Sequence, residues 1–204
     1  MYTLYFMPNA CSLATQVILR ELKQPVRLLE RSKAQDFTAL NPIGSVPVLV
    51  DDHYVLREGA AIILYLLNKH DNTLMPKESE ARILAIENLL FANATVHPAY
   101  SKLFFIAENL NDGPEKDKAF SAAAKTISHL WSVVEQKLAQ QDFLGGRQIS
   151  AADILLAVYS RWGQYFPVDI EIGSRASHML SQVMALDSFK QALQAEEMQT
   201  AEIA

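Results

Sequence analysis

The sequence predicts an α/β domain over residues 1–75 followed by an all-α domain over residues 80–204. Short β-prone segments alternate with helical patterns as far as about His70, and no convincing strand recurs beyond it. Between the two rhythms, Asp71 to Ser79 is polar and contains Pro76, the composition of a linker. A chain of 204 residues is long enough to build two small cores.

Thr3 to Phe6 is apolar and β-prone, and Met7-Pro8-Asn9-Ala10 breaks it. A helical pattern begins at Cys11, with Leu13, Ala14, Val17, Ile18 and Leu22 spaced for one buried face, and Pro25 ends it. Val26 to Glu30 reads as a second strand, so the first thirty residues predict a parallel pair joined by a right-handed crossover. Arg31 to Gln35 is polar, Asp36 to Leu40 is a short helical piece, and Asn41-Pro42-Ile43-Gly44 is a turn. Val46 to Val50 and Tyr54 to Leu56 flank Asp51-Asp52-His53 as a hairpin. From Glu58 to about His70 runs a helix that is apolar on most sides and therefore expected to be mostly buried. The order β-α-β-α-β-β-α is that of a thioredoxin-like module.

The second domain reads as helices throughout. Glu80 to about Asn109 is one long pattern, and Pro98 inside it should kink it. Gly113-Pro114 separates it from Glu115 to Gln140, and Gly145-Gly146 breaks that helix in turn. Shorter helices are expected near 151–164, 174–185 and 188–197. Ser150-Ala-Ala-Asp153 has the form of a capping box flanked by Ile149 and Ile154 as a hydrophobic staple, a signal for helix initiation rather than chemistry. Trp131, Tyr159 and Trp162 read as core.

Composition narrows the function. Half the residues are hydrophobic and a fifth charged, the balance of an ordinary globular chain. The net charge is −5 and no Lys/Arg block stands out, which argues against nucleic acid as a partner. The apolar runs are too short to span a bilayer, and the first residues lack the basic start and apolar stretch of a signal peptide. The single cysteine excludes an internal disulfide and fits a reducing cytoplasm. No metal-ligand cluster, phosphate loop or Ser-His-Asp signature is present, so no metal is expected.

Four places could carry chemistry. Cys11 stands at a helix start, where unpaired N–H groups lower a thiol pKa, and it reads either as a sulfur-binding or attacking group or as a small buried residue. Pro47 lies where a strand should begin; the pattern Gly-x-Val-Pro-Val-Leu favours a cis bond, leaving the Val46 backbone to pair with a peptide-like ligand as an added strand would. Glu58-Gly59 puts a carboxylate and a free N–H at a helix start, which could hold an amino-acid zwitterion or merely suit the helix dipole. His97 could serve as a donor or base near neutral pH, or be a structural helical histidine.

These residues resemble a family. Pro8-Asn9-Ala10-Cys11-Ser12-Leu13-Ala14, Asn41-Pro42-Ile43-Gly44-Ser45-Val46-Pro47-Val48-Leu49, Glu58-Gly59-Ala60-Ala61-Ile62 with Tyr65-Leu66, and the Ser150-x-x-Asp153 cap occur in the order and spacing of the cytosolic glutathione transferases, most closely the bacterial beta class. The resemblance covers nearly the whole chain. It implies a thioredoxin-like domain, an all-helical domain, a homodimer, and glutathione as co-substrate in a cleft against the first domain. It implies that Cys11 contacts the glutathione sulfur and can form a mixed disulfide with it, and that Val46 pairs with the glutathione backbone. Glu58 and Gly59 would hold the γ-glutamyl end, Lys33 is the nearest candidate for the glycyl carboxylate, and His97 would lie near the sulfur. Ile43 departs from a common lysine, and Leu90 from an asparagine that reaches into the partner's site.

Two functions follow as expectations. One is an enzyme that binds glutathione and adds its thiolate to a small hydrophobic electrophile, or uses it in thiol-disulfide exchange. The alternative is a non-catalytic protein of the same fold that carries a hydrophobic ligand or docks on a partner protein. An isomerase or dehalogenase on this fold ranks lower, because the Ser-rich first-helix motif is missing.

Overall fold

A computed structural model describes residues 1–201, which divide into two compact units. The first comprises Met1–Leu74 together with the chain from Met184 onward; the second is Met75–Val183.

The first unit is built on a four-stranded mixed sheet of order β2-β1-β3-β4, from β1 (Tyr2–Phe6), β2 (Val26–Glu30), β3 (Val48–Asp51) and β4 (Tyr54–Leu56). β1 runs parallel to β2, pairing Leu4 with Leu28, and antiparallel to β3, pairing Leu4 with Leu49. The alternation in β1 buries Tyr2, Leu4 and Phe6 on one face, as a period of two requires. Helix α1 (Ser12–Glu21) makes the parallel crossover and buries Leu13, Ala14, Val17 and Ile18. β3 opens at Val48 rather than Val46, because Pro47 has no N–H to give a ladder. After the short helix α2 (Phe37–Leu40), helix α3 (Gly59–Lys69) packs on α1 and β3. It is less buried than its composition suggests: Ile62, Ile63, Leu66 and Leu67 form one stripe, while Ala61 is exposed. Near its end, Lys69 and Tyr65 both bond to the Asp51 carboxylate, which holds that carboxyl below its usual pKa.

The second unit is helical: α4 (Ser79–Leu90), α5 (His97–Asn109), α6 (Pro114–Lys137), α7 (Ala151–Ser160) and α8 (Ser174–Met184). The kink expected at Pro98 takes the form of a π-helical turn, Phe91–Val96, just before it. A proline at 98 cannot donate to the carbonyl one α-turn back and collides with it, and the wider turn relieves both. Trp131 lies fully buried with its indole N–H donated to Tyr100 Oη at 2.8 Å. The capping box on α7 is complete. Ser150 Oγ accepts from the Asp153 N–H and donates to Asp153 Oδ2, which also accepts from the Ser150 N–H. Asp153 Oδ1 takes the Leu144 N–H.

The last helix, α9 (Asp187–Ala201), was expected to extend the helical domain but belongs to the first unit, where it packs on α1. Phe189, Ala192 and Glu196 form its buried stripe. Among the described residues no helix is long and apolar enough to cross a membrane. None of their His, Cys, Asp or Glu side chains gather in threes to hold a metal ion.

Candidate functional site

The segment between β1 and α1 is held by its own side chains. Ser12 Oγ accepts from the Met7 N–H and donates to the Met7 C=O, closing the loop in place of the helix-capping role that its hydroxyl suggests. Asn9 takes the left-handed conformation, φ 61°, which asparagine tolerates better than most residues. Cys11 is the N-cap of α1.

Facing Cys11 is the loop before β3. The Asn41 side chain, buried, donates to the Ser45 C=O at 2.8 Å and accepts from the Ile43 N–H, and Gly44 sits at φ 75°. The loop ends in a cis Val46–Pro47 peptide. Cys11 Sγ donates to the Val46 C=O at 3.3 Å. The Val46 N–H makes no hydrogen bond to any described residue. The structure therefore brings Cys11 and Val46 together, a thiol beside a main-chain acceptor and an open donor.

The thiol is not poised as a thiolate. The N–H groups of Cys11 and Ser12 pull its pKa down as the helix-start argument requires, but burial outweighs them and raises it to about 11. The expected lowering is thus reversed. It assumed a solvated helix start, whereas this sulfur is tucked against a carbonyl.

Glu58 is the N-cap of α3, extended and exposed, and its carboxylate pairs with no described group. Gly59 opens the helix, and its N–H makes no hydrogen bond to any described residue. Among the described residues no hydrogen bond joins either of them to Cys11 or Val46. Elsewhere, a hollow of about 680 Å³ on the second unit is lined by Asp117, Lys125, His129 and Glu171 and holds none of the predicted residues. Among the described residues no hydrogen bond or ion pair joins the side chains of Asp117, Lys125, His129 and Glu171 to one another, so the chemistry is assigned to the thiol corner.

Two family models match the chain: glutathione S-transferase, N-terminal domain, over residues 11–74, and glutathione S-transferase, C-terminal domain, over residues 89–195. Glutathione S-transferase GST-4.5 of Xanthomonas campestris is 31% identical over 95% of this chain and 98% of its own length. The chain belongs to the glutathione S-transferase family. A sphingomonad glutathione S-transferase solved in complex with glutathione superposes with a TM-score of 0.82 at 28% identity, covering 96% of this chain and 98% of that one. The bacterial beta class glutathione S-transferase of Sphingomonas chungbukensis gives a TM-score of 0.82 at 26% identity, covering 95% and 98%.

Within this glutathione S-transferase fold the remaining predicted residues have other occupations. Lys33 Nζ donates to the Gln199 C=O of α9 at 2.8 Å and lies 4.0 Å from Glu30. Arg31, on the same loop, donates to the Gly44 C=O at 2.8 Å. His97 is in the second unit, its ring edge-on to Tyr159 and Trp162 with centroids 5.0 and 5.2 Å away, and burial lowers its pKa so that it is neutral at pH 7. Ile43 and Leu90 are exposed.

Sequence reasoning missed Glu196. Its carboxylate is buried, accepting the Asn9 N–H at 2.9 Å and the Gln16 side-chain amide at 2.7 Å. The signal was there: Phe189, Ala192 and Glu196 share one helix face, and a carboxylate in an apolar stripe needs a partner.

Proposed function

We propose that the protein binds glutathione at the Cys11–Val46 corner and directs its thiolate to a small hydrophobic electrophile. The observation that carries this is the Cys11 thiol 3.3 Å from the Val46 carbonyl, beside a Val46 N–H that has no partner among the described residues. A peptide laid along Val46 would receive that N–H and, by taking over the carbonyl, release the thiol toward its own sulfur. A free thiol is mostly protonated at neutral pH, so a donor that favours its ionised form aids attack. Cys11, held protonated by burial, is suited to donate to a glutathione thiolate.

Thiol-disulfide exchange is the second use of the corner. There the Cys11 thiolate attacks oxidised glutathione, forming the mixed disulfide and expelling one glutathione thiolate.

Other roles complete the reading. Glu58 and the Gly59 N–H, without partners among the described residues, receive the γ-glutamyl ammonium and carboxylate. Lys33 takes the glycyl carboxylate by leaving Gln199, and His97 takes part as a neutral imidazole. The exposed face of α4, with Ile83, Leu84 and Leu90, supports a homodimer. Ile83→Glu is then expected to shift the sedimentation coefficient to that of the monomer; an unchanged value removes that face from the interface. The cytoplasm is the compartment we assign.

Calorimetry with millimolar glutathione tests the whole reading, and absence of heat would sink it. Cys11→Ala is expected to abolish the mixed disulfide seen by mass spectrometry and to slow conjugation about tenfold, the loss of one hydrogen bond of about 1.4 kcal/mol. Complete loss of conjugation with intact glutathione binding would make Cys11 the essential activator instead.

A further inference from the structure

We propose that Glu196 is a positioning residue for Cys11, fixing from the last helix the loop that presents the thiol. The inference rests on the reading that sulfur chemistry takes place at Cys11.

Asn9 lies two residues before Cys11, in the left-handed conformation, and its N–H points into the Glu196 carboxylate at 2.9 Å. The other carboxylate oxygen takes the amide of Gln16 on α1, whose N-cap is Cys11, at 2.7 Å. One buried carboxylate therefore joins both sides of the thiol: the loop that leads into it and the helix that leads away. Within this unit α9 bonds the predicted ligand loop a second time, through Lys33 and the Gln199 carbonyl. Phe189 and Ala192, fully buried, anchor the helix that carries these contacts.

A carboxylate is an expensive way to fill a buried position, because its desolvation has to be offset by hydrogen bonds. What it provides is two charge-assisted acceptors at fixed separation. Without it the Asn9 N–H loses its carboxylate acceptor, the loop relaxes toward water, and Cys11 Sγ is no longer held on Val46 O.

The neutral amide is a sharp comparison. Gln16 Oε1 is buried without a hydrogen-bond partner. In Glu196→Gln the new carbonyl can accept from Asn9, and the new amide can donate to Gln16 Oε1 once the Gln16 amide has turned over. Geometry is kept and the charge is lost. A role in positioning survives this change; a role that needs the negative charge does not.

The test is alkylation of the single cysteine by iodoacetamide in the full chain, followed by mass spectrometry from pH 7 to 10.5 without glutathione. Thermal unfolding is measured alongside. For Glu196→Ala the rising part of the pH profile is expected to move to lower pH, levelling off by about pH 10 where wild type still climbs, with the rate at pH 8 rising about threefold or more, the net of a larger thiolate fraction and a weaker nucleophile. Glu196→Gln should retain the wild-type profile, and Glu197→Ala, on the exposed side of the same turn, should leave it unchanged. Glu196→Asp, which withdraws the carboxylate by one methylene, carries the test if the alanine chain does not fold; it should shift the profile in the same direction. Profiles that superimpose on wild type for the folded alanine or aspartate chain overturn the proposal, as does a glutamine chain that shifts as far as alanine. The readout needs no glutathione. A wild-type chain that gives no heat with glutathione therefore sinks the binding reading alone.

Discussion

Free of ligand at pH 8, Cys11 is expected to react with iodoacetamide at least tenfold more slowly in the folded chain than in the same chain unfolded in urea. Burial places its pKa at about 11 against an ordinary value of 9.0. The thiolate fraction is then about a hundredfold lower at pH 8. A thiolate of higher pKa is intrinsically more nucleophilic, with a Brønsted coefficient near 0.45, which returns a factor of about eight over two units. The net is a slowing of roughly tenfold, and shielding of the sulfur adds to it. The sign with pH is fixed by the same shift. Below about pH 10 the folded rate should climb close to tenfold per unit, whereas the unfolded rate should level off near pH 9 to 10. The chain has no other cysteine, so the mass of the adduct reports this site alone. Equal rates in the two states, or a folded profile that levels off near pH 7, would mean that the helix start governs the thiol after all. A slow free thiol favours a resting site that donates to sulfur over one that attacks it.

Why that sign was illegible in the sequence shows where local reasoning stops. The strand, turn and helix around Cys11 are written in Pro8, Asn9 and the apolar spacing of Leu13, Ala14, Val17 and Ile18, and the structure has them. Backbone donors at the helix start follow from local geometry too, and they do lower the pKa. Burial depends on what packs over the sulfur. The Val46 carbonyl comes from 35 residues away, and Glu196, which holds the adjoining loop, from 187 residues beyond Asn9. The parallel β1/β2 pair, the β3/β4 hairpin and the α7 cap were readable because their determinants are close together in the chain. The assignment of α9 was not, since its helical period is the same whichever unit it covers. The identity of Glu196 within an apolar stripe was the one local clue.

The largest loss of stability is expected from Asp153→Ala. Local signals and tertiary packing converge on this residue. Asp153 is fully buried; its carboxylate accepts from the N–H groups of Leu144 and Ser150 and from the Ser150 hydroxyl. Desolvation nonetheless wins over these donors and leaves its pKa raised. The donors are therefore what makes a carboxylate tolerable at this position. Truncation to alanine removes half of the capping box, worth about 1 kcal/mol, and strands two buried N–H groups at about 1 kcal/mol or more each. The sum is about 3 kcal/mol, which for a chain of this size lowers the unfolding temperature by roughly 10 °C. Asp153→Asn should lie between the two, since its carbonyl can still serve Leu144 and its amide can donate to Ser150 Oγ, but the amide faces the Ser150 N–H as donor against donor. Scanning calorimetry of the three chains measures the order directly. A midpoint for the alanine chain within 2 °C of wild type would show that water or a shifted loop satisfies Leu144 and Ser150 as well as the carboxylate does, and that the Asp153 contacts are not what holds the start of α7.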